Sequence, residues 1–289
     1  MANQITGHTR LYCLIGSPVG HSGSPAMYNY SFESVGEDGA YLAFDVPLDH
    51  LAEGMAAIKT FNVKGFNITM PDKTAVIEYL DEVTPAAQLI GACNTVTVAE
   101  DGKMTGHNTD GIGFVRNLQE NGVEVKGKKI VVLGTGGAAT AICVQAALDG
   151  AAEIAIFNPT DSFYANGLKT VERLSKAVPG CHMSMNDIAN TELLKSAVDS
   201  ADILVNATKV GMKPMEKETL IDKSWFRPEL VVTDTVYNPR ETRMIVEAKE
   251  AGCKAIGGIG MLLWQGAAAF KLFTGKDMPA EEVMEKFFS

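Results

Sequence analysis

The sequence predicts an α/β protein of two domains, an N-terminal α/β domain around a mixed sheet and a second domain around a doubly wound parallel sheet. Apolar runs of strand length alternate with amphipathic stretches of helix length along the whole chain. A glycine-rich turn at 134–137 joins a buried strand to an alanine-rich helix. The chain has 289 residues, and at about 150 residues per domain this suggests two. The expected boundaries place 1–108 with 262–289 in the first domain and 109–261 in the second.

In the first domain, Leu11 to Ile15, Tyr41 to Val46 and Val63 to Thr69 read as strands. Leu48 to Lys59 reads as a helix with Leu51, Met55 and Ile58 on one face. Pro71 is expected to open a further helix through Ala75, Val76 and Tyr79, because proline at a first helical position loses no hydrogen bond. Asn94 to Ala99 and Lys103 to Gly106, joined by Asp101-Gly102, predict a hairpin that closes the first sheet.

Asp110 to Asn121 is expected as the helix into the second domain, with Gly122 to Gly127 as a connector. Lys129 to Leu133, Glu153 to Phe157, Asp202 to Asn206, Leu230 to Thr233 and Lys254 to Ile256 predict its strands. Ala138 to Leu148 and Gly167 to Ala177 lie between them as helices, the second with Leu168, Val171 and Leu174 on one side. From Met261 the tail is expected to be helical, its apolar face built from Leu262, Ala269 and Phe270, returning to the first domain.

Apolar residues make up 46% and charged residues 21%, which excludes a disordered chain. The net charge of −10 gives no electrostatic reason to bind nucleic acid or an anionic membrane. Cys13, Cys93, Cys143, Cys181 and Cys253 are scattered among apolar neighbours, the pattern of buried thiols in a reducing compartment. With no apolar leader in the first residues, a cytoplasmic location is expected. The longest uncharged stretch, Ile130 to Leu148, is broken by Gly134, Gly136 and Gly137 and makes a poor membrane span. Five histidines without a Cys/His cluster argue against a metal site.

Gly134-Thr135-Gly136-Gly137-Ala138-Ala139 follows a strand and opens a helix, so free backbone N–H groups can meet a pyrophosphate there. The other reading is a tight turn that only lets the helix pack on the sheet. The third glycine of the usual fingerprint is missing, since Thr140 stands three residues after Gly137. The next strand ends at Phe157-Asn158-Pro159-Thr160-Asp161, which offers no Arg or Lys to a 2′-phosphate. Asp161 would repel that phosphate and accept from a ribose hydroxyl, so NAD is preferred, with NADP as the second option. Read alone, Asp161 is equally a helix cap before Ser162-Phe163.

Lys73 falls just after a strand, at an expected helix start whose field eases release of its proton. Taken singly it is an ordinary surface lysine, and Asp110 an ordinary helix cap. Brought together, an ammonium and a carboxylate can pass a proton to or from a hydroxyl, as oxidation of an alcohol by hydride removal requires.

The ordered motifs Gly20-His21-Ser22-Gly23-Ser24-Pro25, Asn67-Ile68-Thr69-Met70-Pro71-Asp72-Lys73, Gly91-Ala92-Cys93-Asn94-Thr95 and Asn108-Thr109-Asp110-Gly111 carry a resemblance. So do Asn206-Ala207-Thr208-Lys209-Val210-Gly211-Met212, Val236-Tyr237-Asn238-Pro239 and Gly260-Met261-Leu262-Leu263-Trp264-Gln265-Gly266. Over nearly its full length the chain resembles the shikimate dehydrogenase family, most closely the quinate/shikimate dehydrogenase branch. Lys209 and the Asn158 to Phe163 segment point to that branch.

The resemblance implies that Lys73 and Asp110 are the catalytic pair, and that Ser22 and Ser24 donate to a substrate carboxylate. It implies that Asn67, Thr69, Asn94 and Gln265 bind ring hydroxyls, although Asn94 reads equally as a residue satisfying buried backbone. Tyr237 reaches the carboxylate or packs as an aromatic. Gly134, Thr135, Gly136, Gly137, Ala138, Asn158, Asp161, Phe163, Thr208, Lys209, Val236, Asn238, Gly258 and Met261 would line the dinucleotide. Gly258 and Met261 lie by the nicotinamide in that reading, or serve as a turn and a core filler.

Two departures from the family stand out. Asp72 replaces a common histidine before the lysine, where its charge would raise the lysine's proton affinity, and Pro159-Thr160 replaces the basic pair of many NADP-using members. His21 reads as structural. The expected function is therefore reversible interconversion of shikimate with 3-dehydroshikimate and of quinate with 3-dehydroquinate, in chorismate and aromatic amino acid biosynthesis or quinate metabolism. The alternatives are a strict shikimate dehydrogenase, a related methylene-tetrahydrofolate enzyme, and a non-catalytic metabolite or dinucleotide sensor. The expected partner is a small molecule, and the expected state a monomer or homodimer.

Overall fold

Strand β1 (Arg10–Gly16) runs through Leu-Tyr-Cys-Leu-Ile without a polar residue, the pattern of a strand covered on both faces. The computed structural model, which describes residues 5–288, sets β1 inside a six-stranded sheet. Its other members are β2 (Gly39–Asp45), β3 (Gly65–Ile68), β4 (Glu82–Val83), β5 (Thr95–Val98) and β6 (Met104–His107), in the order β2-β1-β3-β5-β6-β4. β1 pairs in parallel with β2 and β3, whereas β5 runs antiparallel to β3 and β6, so the sheet is mixed.

Alternation along β1 divides the cover. Cys13 and Ile15 pack with Phe66, Ile68, Leu51, Met55 and Ile58, while Tyr12 and Leu14 face Tyr28, Phe32, Tyr41 and Phe270. The first face is covered by α2 (Leu51–Thr60), and α1 (Ser24–Ser34) contributes Met27, Tyr28 and Phe32 to the second. The short α3 (Pro85–Ile90) ends on Gly91 in a left-handed conformation.

The second sheet is wholly parallel. Its strands β7 (Lys129–Leu133), β8 (Glu153–Asn158), β9 (His182–Asp187), β10 (Ile203–Asn206), β11 (Val231–Asp234) and β12 (Lys254–Ile256) lie in the order β12-β11-β10-β7-β8-β9. The order reverses at β7, the doubly wound arrangement in which ligands bind beyond the carboxyl ends of the strands. Its helices are α4 (Asp110–Glu120), α5 (Gly137–Leu148), α6 (Tyr164–Ala177), α7 (Thr191–Ser200) and α8 (Arg243–Glu250). Asn190 and Thr242 cap α7 and α8 by accepting from the Leu193 and Ile245 N–H groups.

Two helices complete the chain, α9 (Ile259–Thr274) and α10 (Ala280–Phe288). The chain divides into two compact units, 1–109 with 263–289, and 110–262. In the first, Leu263, Ala269, Phe270 and Val283 join the aromatic face of β1. The buried Glu37 carboxylate ties this unit's beginning to its end, accepting from Arg10 at 3.0 Å and lying 3.0 Å from Lys276.

Several elements differ from expectation. No α-helix opens at Pro71: 71–74 form a turn and a single 3-10 turn covers Ala75–Tyr79. The reason is long-range, because the Lys73 carbonyl, which a helix would give to residue 77, accepts from Cys93 N at 2.8 Å. The hairpin does not end the sheet, since the two-residue β4 pairs outside β6. On α6 the inward residues are Gly167, Thr170 and Leu174, while Leu168 faces solvent. In α9, Leu263 and not Leu262 joins the buried face. All five cysteines are buried free thiols, and among the described residues no helix is long and apolar enough to cross a membrane.

Helices α4 and α5 touch at Gly111, where a Cβ would meet the Ala141 carbonyl oxygen and lie 2.7 Å from Gln145 Cβ. Backbone cannot yield as a side-chain tip does. Gly111→Ala is expected to lower unfolding free energy by about 1–3 kcal/mol, measured as a lowered urea midpoint with an unchanged slope.

Candidate active site

In the first unit the expected substrate residues gather along one edge of the sheet. Ser22 lies in the loop after β1 and accepts from Ser24 N at 3.2 Å, and Ser24 is the first residue of α1. Asn67 is in β3 and Thr69 follows it, with Thr69 N bonded to Ile15 O at 2.9 Å. Because β5 runs antiparallel, its start reaches the same edge, and Ile68 N donates to Asn94 O at 2.9 Å. Lys73 is half-buried in the turn that follows, and Gln265 stands on α9.

Two of these side chains are tightly held. Asn67 is 7% exposed; its Oδ1 accepts from the Tyr41 hydroxyl at 2.7 Å, and its Nδ2 donates to Thr95 Oγ1 at 3.0 Å and Asn94 O at 3.2 Å. Asn94 Oδ1 accepts from Thr109 N at 2.8 Å and Thr95 Oγ1 at 2.9 Å, while its Nδ2 donates to Thr109 Oγ1 at 3.0 Å. The reading of Asn94 as a partner for buried backbone is thus realised in the fold, whatever else it binds. Tyr41, Thr95 and Thr109 stood in the sequence only within a strand or a motif, with no role assigned to them. A tyrosine at an inward position of a strand, next to the exposed Leu42, gives only the signal of a core residue.

In the second unit the expected cofactor residues follow the carboxyl ends of successive parallel strands. Gly134, after β7, has φ +108°, and a Cβ there would lie 2.9 Å from Ala207 O. Only glycine fits that turn. At Gly136 and Gly137 the space a Cβ would fill is open, and α5 begins beside them, with Ala138 in its first turn, without a side-chain cap. Exposed N–H groups in an open cradle fit a pyrophosphate.

Thr135 is buried and donates to Phe163 O at 3.0 Å, so its hydroxyl braces the loop after β8. Asn158 Nδ2 donates to Asp161 Oδ1 at 3.0 Å, and the same oxygen accepts from Phe163 N at 2.9 Å. One Asp161 oxygen therefore shapes the loop, but it does not cap a helix as the alternative reading had it: α6 begins at Tyr164, its N-cap is Phe163, and no side chain caps it. Phe163, Lys209, Tyr237 and Asn238 are exposed, whereas Val236, Gly258 and Met261 are buried. Asp110 is half-buried as the first residue of α4.

The loops after β10 and β11 are joined by a carboxylate that sequence reading passed over. Asp234, 2% exposed, accepts from Asn206 Nδ2 at 3.0 Å, Val236 N at 2.9 Å and Thr242 Oγ1 at 2.6 Å. Asn206 Oδ1 in turn accepts from the Thr208 hydroxyl at 2.7 Å. Burial pushes the Asp234 carboxyl above its ordinary range, and the bonds from Thr242, Val236 and Asn206 oppose that rise. Its one sequence signal is an acid at the very end of an apolar strand.

Comparison with known proteins places the chain. Residues 14–96 match the model of the shikimate dehydrogenase substrate binding domain, and 258–286 that of the shikimate 5′-dehydrogenase C-terminal domain. A shikimate dehydrogenase (NADP(+)) of Listeria monocytogenes is 48% identical over 289 residues, covering 100% of this chain and 99% of the relative. The chain belongs to the shikimate dehydrogenase family. It is accordingly an NAD(P)-dependent dehydrogenase acting on a shikimate-like ring. Shikimate 5-dehydrogenase from Listeria monocytogenes, solved in complex with shikimate and NAD, superposes with a TM-score of 0.96 at 47% identity, covering 99% and 98% of the two chains. Quinate dehydrogenase from Corynebacterium glutamicum in complex with NAD gives 0.88 at 30% identity, covering 97% and 99%.

Asp72 is fully buried, and neither carboxylate oxygen has a hydrogen-bond partner, so it makes no hydrogen bond to Lys73. Burial pushes its carboxyl above the ordinary carboxylate range. A folded-state value above the unfolded one means that Asp72 favours folding fully only below the unfolded value, and that this is lost as pH rises through the folded value. Asp72→Asn keeps the shape and removes the charge. It should be more stable than the parent at pH 7 by about 1 kcal/mol or more, with the difference shrinking as pH falls through the folded-state value and gone below about pH 4, as followed by thermal unfolding across pH.

Proposed function

We propose that this chain is a shikimate dehydrogenase, interconverting shikimate and 3-dehydroshikimate with NAD(P). The reading rests on Ser22, Ser24, Asn67, Thr69, Lys73 and Asn94 occurring on one sheet edge of a chain 48% identical, end to end, to a shikimate dehydrogenase. The sequence reading put quinate and shikimate together. The relatives named for shikimate match at 47–48% identity against 30% for the quinate enzyme, and this favours shikimate as the main substrate. Quinate is kept as a second substrate by the 0.88 TM-score of the quinate dehydrogenase and by Lys209.

In this reading Ser22, Ser24 and Tyr237 bind the carboxylate, and Asn67, Thr69, Asn94 and Gln265 orient the ring hydroxyls. The bound nicotinamide supplies the hydride acceptor. Lys73 Nζ takes the hydroxyl proton during oxidation and returns it during reduction, with Asp110 as its acidic partner. Gly134, Gly136, Gly137 and Ala138 hold the pyrophosphate by backbone. Asn158, Asp161 and Phe163 flank the adenosine, and Thr208, Lys209, Val236, Asn238, Gly258 and Met261 shape the remaining cofactor contacts.

NAD is the preferred cofactor in this proposal, because Phe157 to Asp161 contains no cation for a 2′-phosphate and Asp161 adds a like charge. The name of the Listeria relative gives NADP and its solved counterpart carries NAD, so cofactor choice is a matter for this chain's own loop.

Lys73→Ala is expected to lower kcat by about 10²–10⁴-fold while cofactor titration is unchanged; hydride transfer at the parent rate would overturn the assignment. Specificity constants for shikimate and quinate, each with NAD and NADP, should be highest for shikimate with NAD. A strong NADP preference would refute the reading of Pro159 and Asp161.

A further inference from the structure

The first unit contains a buried phenol that the proposed chemistry does not use. Tyr28, on α1, is 1% exposed and donates to Gly266 O at 3.1 Å. Gly266 follows Gln265 on α9, and a Cβ at Gly266 would lie 2.5 Å from Met27 Cε, so α1 and α9 meet closely at this point. The Tyr28 ring stacks on Tyr41 with centroids 4.4 Å apart and planes inclined by 11°. The Tyr41 hydroxyl in turn holds Asn67 Oδ1 at 2.7 Å.

We propose that Tyr28 is a positioning residue for substrate: its hydroxyl holds the turn of α9 that carries Gln265 while its ring stacks on Tyr41, which holds Asn67, and so it fixes the spacing between two ring-hydroxyl contacts. The inference rests on the assignment of Asn67 and Gln265 as substrate ligands. A phenol does this where a phenylalanine would not. The α9 carbonyl of Gly266 is a fixed acceptor that only a hydroxyl at this position can reach as a donor. With the hydroxyl present the ring is pinned to α9, and its stack on Tyr41 carries that constraint to the residue that holds Asn67. Tyr28 is covered by core side chains and never reaches the substrate, so its effect acts wholly through Asn67 and Gln265.

The test is Tyr28→Phe, which removes one oxygen from a ring that keeps its stack. Expected are a rise in the KM for shikimate of about three- to tenfold, kcat within about twofold, and an unchanged KM for the cofactor. A purely structural residue would lower activity through the folded fraction and leave KM alone. Gln265→Ala and the double variant complete a cycle, in which the effect of Tyr28→Phe should largely disappear once Gln265 is absent. If Gln265→Ala and Asn67→Ala both leave the shikimate KM unaltered, the substrate assignment fails. If they raise it and Tyr28→Phe does not, or acts equally in the Gln265→Ala background, the coupling through Tyr28 is refuted. Should Tyr28→Phe fail to fold, Gly266→Ala disturbs the same contact from α9, and it too must raise the shikimate KM without changing that of the cofactor.

Discussion

A parallel strand that stops inside a protein leaves backbone groups and loop amides that no neighbouring strand completes, and burial makes each unpaired group expensive. Both units meet this demand with short polar side chains at the strand ends. In the first, Asn67 donates to the Asn94 carbonyl, Asn94 accepts from Thr109 N, and the two side chains bind the hydroxyls of Tyr41, Thr95 and Thr109. In the second, Asn206 and Asp234 join the loops after β10 and β11. The edges where ligands bind in such folds are thus already organised by the requirements of folding, before any ligand arrives.

This shared origin explains why some residues have two duties. A hydroxyl such as that of Thr135 is placed within a glycine-rich turn, yet it is spent on the Phe163 carbonyl. The backbone of Gly136 and Gly137, by contrast, has no side chain over it and no cap. Recognition of an anion then falls to N–H groups, whose geometry the helix sets, and side chains around them are left to shape the loops.

The architecture was legible where the physics was local. The uninterrupted apolar run of Lys129 to Leu133, the Asp101-Gly102 turn and the Leu51, Met55, Ile58 stripe each took the predicted form. β9 was not legible, because at this sheet edge the alternation in His-Met-Ser-Met-Asn-Asp rests on two methionines alone, with no β-branched or aromatic residue to mark a strand. The turn at Lys73 depends on a bond to Cys93, twenty positions away in sequence, and no local pattern announces it. Leu168 misled for a related reason: Gly167, whose Cβ position is occupied by Met185 and Thr135, brings α6 close to its sheet along a different line from the one its leucines suggest. Of the site, the residues in motifs were readable as types. Their partners Tyr28, Tyr41 and Asp234 were not, since a buried tyrosine or a terminal aspartate reveals its bonds only when distant segments are in place.

The aromatic face of β1 has an implication for how the polypeptide matures on the ribosome. Tyr12, Tyr28, Phe32 and Tyr41 emerge early, but Leu263, Phe270 and Val283, which cover them, are made only after the whole 110–262 unit. The 110–262 unit is continuous in sequence and needs no later partner for its own core. A nascent chain would therefore carry an incompletely covered cluster of rings until the segment from Leu263 is made, an interval in which chaperones would find an apolar client.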